Sequence, residues 1–189
     1  MNINNKYGFL VDRGDAFGKV SIDLVDSSGN HIPFLRNHNQ LGIYAAEMFA
    51  RMISNNSYLK PDGVGFLYGA SVATDVSDRM FTWEDLHERC SRDKRANVYM
   101  AGFSSATSFT PQGENLFIAT FHACTTDDDT SAFSDGLLGG IGNNPISQVI
   151  LYSEPDTDGN RKIIARSDAG GKSKPDPFSL SIDWAINFK

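Results

Sequence analysis

The sequence predicts a mainly β fold of antiparallel sheet with one or two short helices. Three observations lead there. From Phe178 to Phe188 every second residue is apolar (Phe178, Leu180, Ile182, Trp184, Ile186, Phe188), with Ser179, Ser181, Asp183, Ala185 and Asn187 between them. Period-two alternation marks a strand with one buried and one wet face, and one-sided burial belongs to antiparallel sheets. Asp158-Gly159 stands between the strand-like runs Gln148–Ser153 and Arg161–Arg166, which is a hairpin signal. Long polar stretches at 69–80, 104–114, 124–145 and 167–177 separate the short runs. They read as loops on a sheet scaffold.

The remaining elements follow in chain order. Lys19 to Val25 alternates through Val20, Ile22 and Leu24. Asp26-Ser27-Ser28-Gly29-Asn30 then supplies turn residues, and His31 to Leu35 returns as the hairpin partner. Leu41, Ala45, Met48, Phe49, Met52 and Ile53 recur at spacings of three and four, the period of a helix with one apolar stripe. Asn39 is its expected N-cap and Asn55-Asn56 its expected end. Val64–Tyr68, Ala96–Phe103 and Leu116–Ala123 read as strands. A second short helix is expected at Thr82, where Thr82 and Asp85 form a capping box. The chain divides into an N-terminal arm or hairpin over 1–35 and a β domain over 36–189.

Composition narrows the function classes. The chain has 189 residues, of which 40% are apolar and 21% charged, enough for a packed core without staples. A net charge of −6 argues against general nucleic-acid binding, which needs a basic surface to displace counterions. No window approaches the roughly 18 apolar residues of a membrane span. Met1-Asn2-Ile3-Asn4-Asn5-Lys6 has no apolar stretch behind it and does not read as a signal peptide. Cys90 and Cys124 form no CxxC pair, so they read as two thiols in a reducing cytoplasm.

Catalytic and metal patterns are weak. Gly170-Gly171-Lys172-Ser173 ends like a phosphate-binding loop, but Arg166 stands where its first glycine belongs, and Pro175 and Pro177 bar a following helix. Asp156-Thr157-Asp158-Gly159-Asn160 opens like a calcium loop, but Ser167 occupies the place of the bidentate glutamate. Asp127-Asp128-Asp129 reads as a solvated tip, and Trp83-Glu84-Asp85 as a capped helix start. His31, His38, His87 and His122 lie too far apart for a helical metal pair. His122 falls on the face opposite Phe117 and Phe121, as a surface or interface residue. The expectation is a chain that is not an enzyme and needs no cofactor or metal.

The last third carries a resemblance. Ile163-Ile164-Ala165-Arg166 is followed by Lys172 and Lys174, and then by Leu180-Ser181-Ile182-Asp183-Trp184-Ala185-Ile186-Asn187-Phe188. Asn37 to Ile53 supplies a polar start and a helix, and Val64-Gly65-Phe66-Leu67-Tyr68-Gly69 a glycine-flanked strand. In this order, over residues 37 to 188, the chain resembles bacteriophage virion structural proteins of the tail, neck and fibre-attachment type. The resemblance implies that the domain over 36–189 is an antiparallel β-sandwich of jelly-roll type, built into a virion as a ring or trimer and made in the host bacterial cytoplasm. Its implied partners are further copies of itself and other virion structural proteins, with no nucleic acid and no membrane. The alternative is a receptor- or carbohydrate-binding adhesin module, with Tyr68, Trp83 and Phe133 as stacking aromatics.

The expected assembly interface lies near the start. Tyr7, Phe9, Leu10 and Val11 form an apolar patch in the polar sequence of residues 1–17. A short β-prone segment can add itself to a neighbour's sheet edge, and in a closed ring each copy gives one arm and receives one. An edge strand in the chain's own sheet is the other reading of the same residues. Arg13-Gly14-Asp15 reads as a plain turn.

Overall fold

The computed structural model describes residues 16–69, 96–103, 108–111, 117–125, 145–175 and 178–188. Within them lie nine strands and one helix. In chain order these are β1 (Ala16–Val25), β2 (His31–Leu41), α1 (Ile43–Ile53), β3 (Pro61–Gly69), β4 (Ala96–Gly102), β5 (Ser108–Pro111), β6 (Phe117–Cys124), β7 (Pro145–Pro155), β8 (Arg161–Ser173) and β9 (Ser179–Phe188). All strand pairings are antiparallel, in the order β4-β3-β7-β8-β2-β1-β9-β6-β5. The sheet curls until it is nearly closed into a barrel, and Phe103, just past β4, bridges to Ala123 of β6. The helix expected at Thr82, the aspartates 127–129 and the interface residues Tyr7, Phe9, Leu10 and Val11 lie outside the described residues.

β9 sits between β1 and β6. Trp184 pairs with Val20 on one side and Phe121 on the other. Leu180, Ile182, Trp184 and Ile186 are all buried, in one core with Val20, Ile22, Val64, Phe66, Val149, Leu151 and Ile164. The wet face is less wet than the alternation suggests: Asp183 is exposed, but Ser181 and Asn187 are buried. β7 departs further, being buried at five successive positions from Val149 to Ser153. Both of its faces are covered, although its neighbours are antiparallel.

The boundary expected after residue 35 falls inside β2, and the β1–β2 hairpin lies in mid-sheet, between β9 and β8. Ala16 and Phe17 already pair with Phe188 and Asn187. β5 and the Ser167–Ser173 end of β8 occupy stretches expected to be loops. Their polar side chains and glycines hide strands whose ladder bonds are backbone bonds, indifferent to side chain.

The helix begins later than its apolar period suggests. Gly42 is the N-cap, with no side-chain cap bond, and Asn39 is a β2 residue paired with Gly18. Gly42 is there because the chain passes close to β8: its N–H donates to Ile164 O at 2.7 Å, and a Cβ would stand 2.9 Å from Ile163 O. Ala45 and Met48 enter the core, while Met52 and Ile53 are exposed. Asn55, at φ +54, ends the helix where expected.

Two hairpins share one turn chemistry. Asp26 Oδ1 accepts from Ser28 N at 2.8 Å and Asn30 N at 2.9 Å, and Gly29 takes φ +80. Asp156 Oδ1 accepts from Asp158 N at 3.0 Å and Asn160 N at 2.9 Å, and Gly159 takes φ +84. The Asp-x-x-Gly-Asn spacing thus closes both the β1–β2 and β7–β8 connections, the carboxylate replacing a backbone acceptor. These bonds lower both carboxyl pKa values: for Asp26 the Asn30 amide and N–H lead, for Asp156 the Asn160 N–H leads, with Lys162 adding to it.

Three outcomes follow. Trp184→Ala should cost about 3–5 kcal/mol, as large-to-small core changes do. Trp184→Phe should cost much less, because the buried Nε1 has no hydrogen-bond partner to lose; urea unfolding of both variants checks this. At Gly18 a Cβ would stand 1.6 Å from Asn39 Oδ1. Gly18→Ala should therefore destabilise by about 1–3 kcal/mol, and adding Asn39→Ala should recover most of the loss. Finally, a lowered carboxyl pKa stabilises the fold above the ordinary carboxylate value, and that stability is lost as pH falls through the lowered one. The melting temperature should drop on acidification below about pH 4, and less so in Asp26→Asn/Asp156→Asn; an equal drop would place the acid sensitivity elsewhere.

Candidate functional site

The outer face of the β6–β9 pair gathers three chemically active side chains. Phe121 and Ala123 point inward and are buried, so His122 and Cys124 point outward. Trp184 is inward, so its neighbour Asp183 is outward. The register then sets His122 directly opposite Asp183 and Cys124 opposite Ser181. His122 Nδ1 lies 2.7 Å from Asp183 Oδ1, and Cys124 Sγ lies 3.3 Å from His122 Nε2. With the Nδ1 proton directed at the carboxylate, Nε2 is left as acceptor for the thiol proton. Cys124 is exposed, and the His122 side chain is one-third exposed. The three groups stand in line rather than around a point. Among the described residues no three His, Cys, Asp or Glu side chains are grouped to hold a metal.

An open cleft of about 430 Å³ lies between α1 and the β7–β8 turn. Tyr44, Glu47 and Arg51 come from the helix, Tyr58 and Leu59 from the following segment, and Asp156 and Lys162 from the hairpin. Its polar groups are partly committed to one another. Leu59 N donates to the Tyr44 hydroxyl at 2.8 Å, and that hydroxyl's pKa is raised by burial. Glu47 pairs with Arg51 at 2.8 Å and Asp156 with Lys162 at 3.2 Å.

A third group is structural. Arg36 donates to Ile22 O at 2.7 Å and Leu35 O at 2.8 Å and pairs with Asp23. Partial burial works to raise the Asp23 pKa, but Arg36, with help from His31, holds it below the usual value. The cluster clamps the bulge at Ile22/Asp23.

The residues singled out in the sequence fall as follows. The Asp156 carboxylate is taken up by its own turn and by Lys162. Lys172 donates to Phe34 O at 2.6 Å and lies over the Phe34 ring at 5.6 Å, so the phosphate-loop likeness is a lysine tying β8 to β2. Lys174 is buried and donates to Phe178 O. His122 is on the outer face, as expected, but its partners were not foreseen. His-x-Cys on one strand was legible, and Asp183 on the wet face of another; the β6–β9 register that joins them was not. Trp83 and Phe133 lie outside the described residues, as does the side chain of Tyr68. No protein-family model matches this chain, and neither a curated protein nor a solved structure matches it.

Proposed function

We propose that the chain is a structural component of a tailed-bacteriophage virion, in the tail, neck or fibre-attachment region. It works by forming a symmetric homo-oligomer and docking to other virion proteins. The observation that carries this is the terminal strand. Leu180 to Phe188, the most specific part of the resemblance, is β9, the strand on which the core is assembled. In this proposal the halves β5-β6-β9-β1-β2 and β4-β3-β7-β8 act as the layers of a flattened sandwich. The assembly arm is Tyr7, Phe9, Leu10 and Val11, added to a sheet edge of the next copy. β5, four residues long at one end of the strand order, is the edge that suits such an addition, since an edge strand offers main-chain groups for pairing.

Sedimentation of the full chain and of one lacking residues 2–12 tests the assembly; the deletion stops short of the β1 pairs at Ala16 and Phe17. The full chain should form a discrete oligomer, and the shortened one should melt as before but sediment as a monomer. A monomeric full chain, or unchanged assembly without the arm, removes the proposal. Mass spectrometry of purified particles should find the chain in a fixed, repeated copy number, and its absence from intact particles rules out a virion role.

The α1–hairpin cleft favours a second reading, a carbohydrate-binding adhesin. Tyr58 beside the paired charges of Asp156 and Lys162 offers an aromatic and polar surface of the kind a sugar takes. Binding to a glycan panel that is lost in Tyr58→Ala would decide for it, and no binding by the unaltered chain would decide against it.

A further inference from the structure

We infer that Cys124 is an activated thiol, with His122 as its base and Asp183 as the positioning carboxylate, and that its co-reactant is a low-molecular-mass disulfide. The cross-strand pair His122–Asp183 alone would be an ordinary sheet contact. What sets it apart is the thiol 3.3 Å from the imidazole's other nitrogen. Nucleophile, base and orienting group are thereby in sequence, the arrangement that activates cysteine nucleophiles.

The solvent-facing position suits a small reactant. Cys124 is exposed and Asp183 is about half exposed, with its carboxylate 2.7 Å from His122 Nδ1, so a reactant can reach the sulfur from outside the sheet. The chain's inner face is closed to it, because Phe121, Ala123 and Trp184 are buried there. Aligned outward on two hydrogen-bonded strands, the three groups need no rearrangement to act.

The step balances without a further oxidant. The Cys124 proton passes to His122 Nε2, and the thiolate attacks one sulfur of R–S–S–R′. The S–S bond breaks, a Cys124–S–S–R bond forms, and R′–S⁻ leaves and takes up a proton. Cys124 is oxidised from thiol to mixed disulfide, and the leaving sulfur is reduced to thiol. The product is a reversible cap on the exposed face of β6–β9, a modification site independent of the proposed assembly arm.

Exchange with 5,5′-dithiobis(2-nitrobenzoate) and with oxidised glutathione, on the full chain at near-neutral pH, tests the inference, with peptide mapping to separate Cys124 from Cys90. Cys124 should be capped first, and His122→Ala should slow its capping about tenfold or more. Added imidazole should restore much of the His122→Ala rate, which a merely structural loss would not allow. Asp183→Asn should slow the exchange and Asp183→Glu should recover part of it. Melting curves of the variants should match the parent, since all three groups lie outside the core. Capping of Cys90 with Cys124 untouched, a His122→Ala rate within about twofold of the parent's, or no response to imidazole would overturn the assignment.

Discussion

The register of β9 between β1 and β6 is the constraint on which the rest depends. Trp184 has Val20 on one side and Phe121 on the other, and the three fill one stretch of core. Side chains alternate with a period of two, so a slip of one residue would turn the whole apolar set outward. It would also bring Asp183 inside and carry it away from His122. The inner packing and the outer chemistry are therefore fixed by the same ladder. That ladder joins the chain's last strand to its first described strand, so it forms only after a long loop has closed.

The shortest ladder in the strand order joins β2 to β8. Their ladder has only the pairs Gln40–Arg166 and Leu41–Ala165. Beyond it side chains span the gap: Asn37 Nδ2 donates to Asp168 O at 2.7 Å, Ser167 Oγ to His38 O at 2.9 Å, and Lys172 to Phe34 O. Gly42 closes the other end by direct backbone contact with Ile164. A sheet bent this far cannot keep two strands parallel over their whole length, and polar side chains fill the widening space. Gly170 and Gly171, both with positive φ, release the β8 backbone from regular pairing nearby, where the register to β7 shifts between Ile146 and Gln148.

The functional proposals draw on different faces of the fold. The proposed assembly uses the sheet edge and the apolar segment before β1. The proposed thiol exchange uses side chains standing off the β6–β9 pair, beyond the pairing of β6 with β5, where β6 is held by the β9 ladder and the Phe103–Ala123 bridge. The terminal Leu-x-Ile-x-Trp-x-Ile-x-Phe pattern is first the signature of a strand with one face in a core. It carries fold directly and function only through the resemblance.

Local pattern in the sequence determined most of the strands. Period-two runs located β1, β6 and β9, the turn residues Asp26 to Asn30 and the Asp158-Gly159 pair located the two hairpin turns, and the three-four spacing located α1 with its end at Asn55. Alternation also settled which side of β6 carries His122, and which of β9 carries Asp183. The tertiary structure alone decided the rest. Asn39 became a strand residue lying over Gly18 rather than a helix cap, because β2 runs on to reach β8. β5 was hidden by polar residues, and β7 acquired cover on both faces that no alternation in its sequence signals. The meeting of Cys124, His122 and Asp183 belongs to this second group. The alternation of each strand is a property of neighbouring residues, whereas the pairing of residue 122 with 183 is set by how distant strands align to bury Trp184.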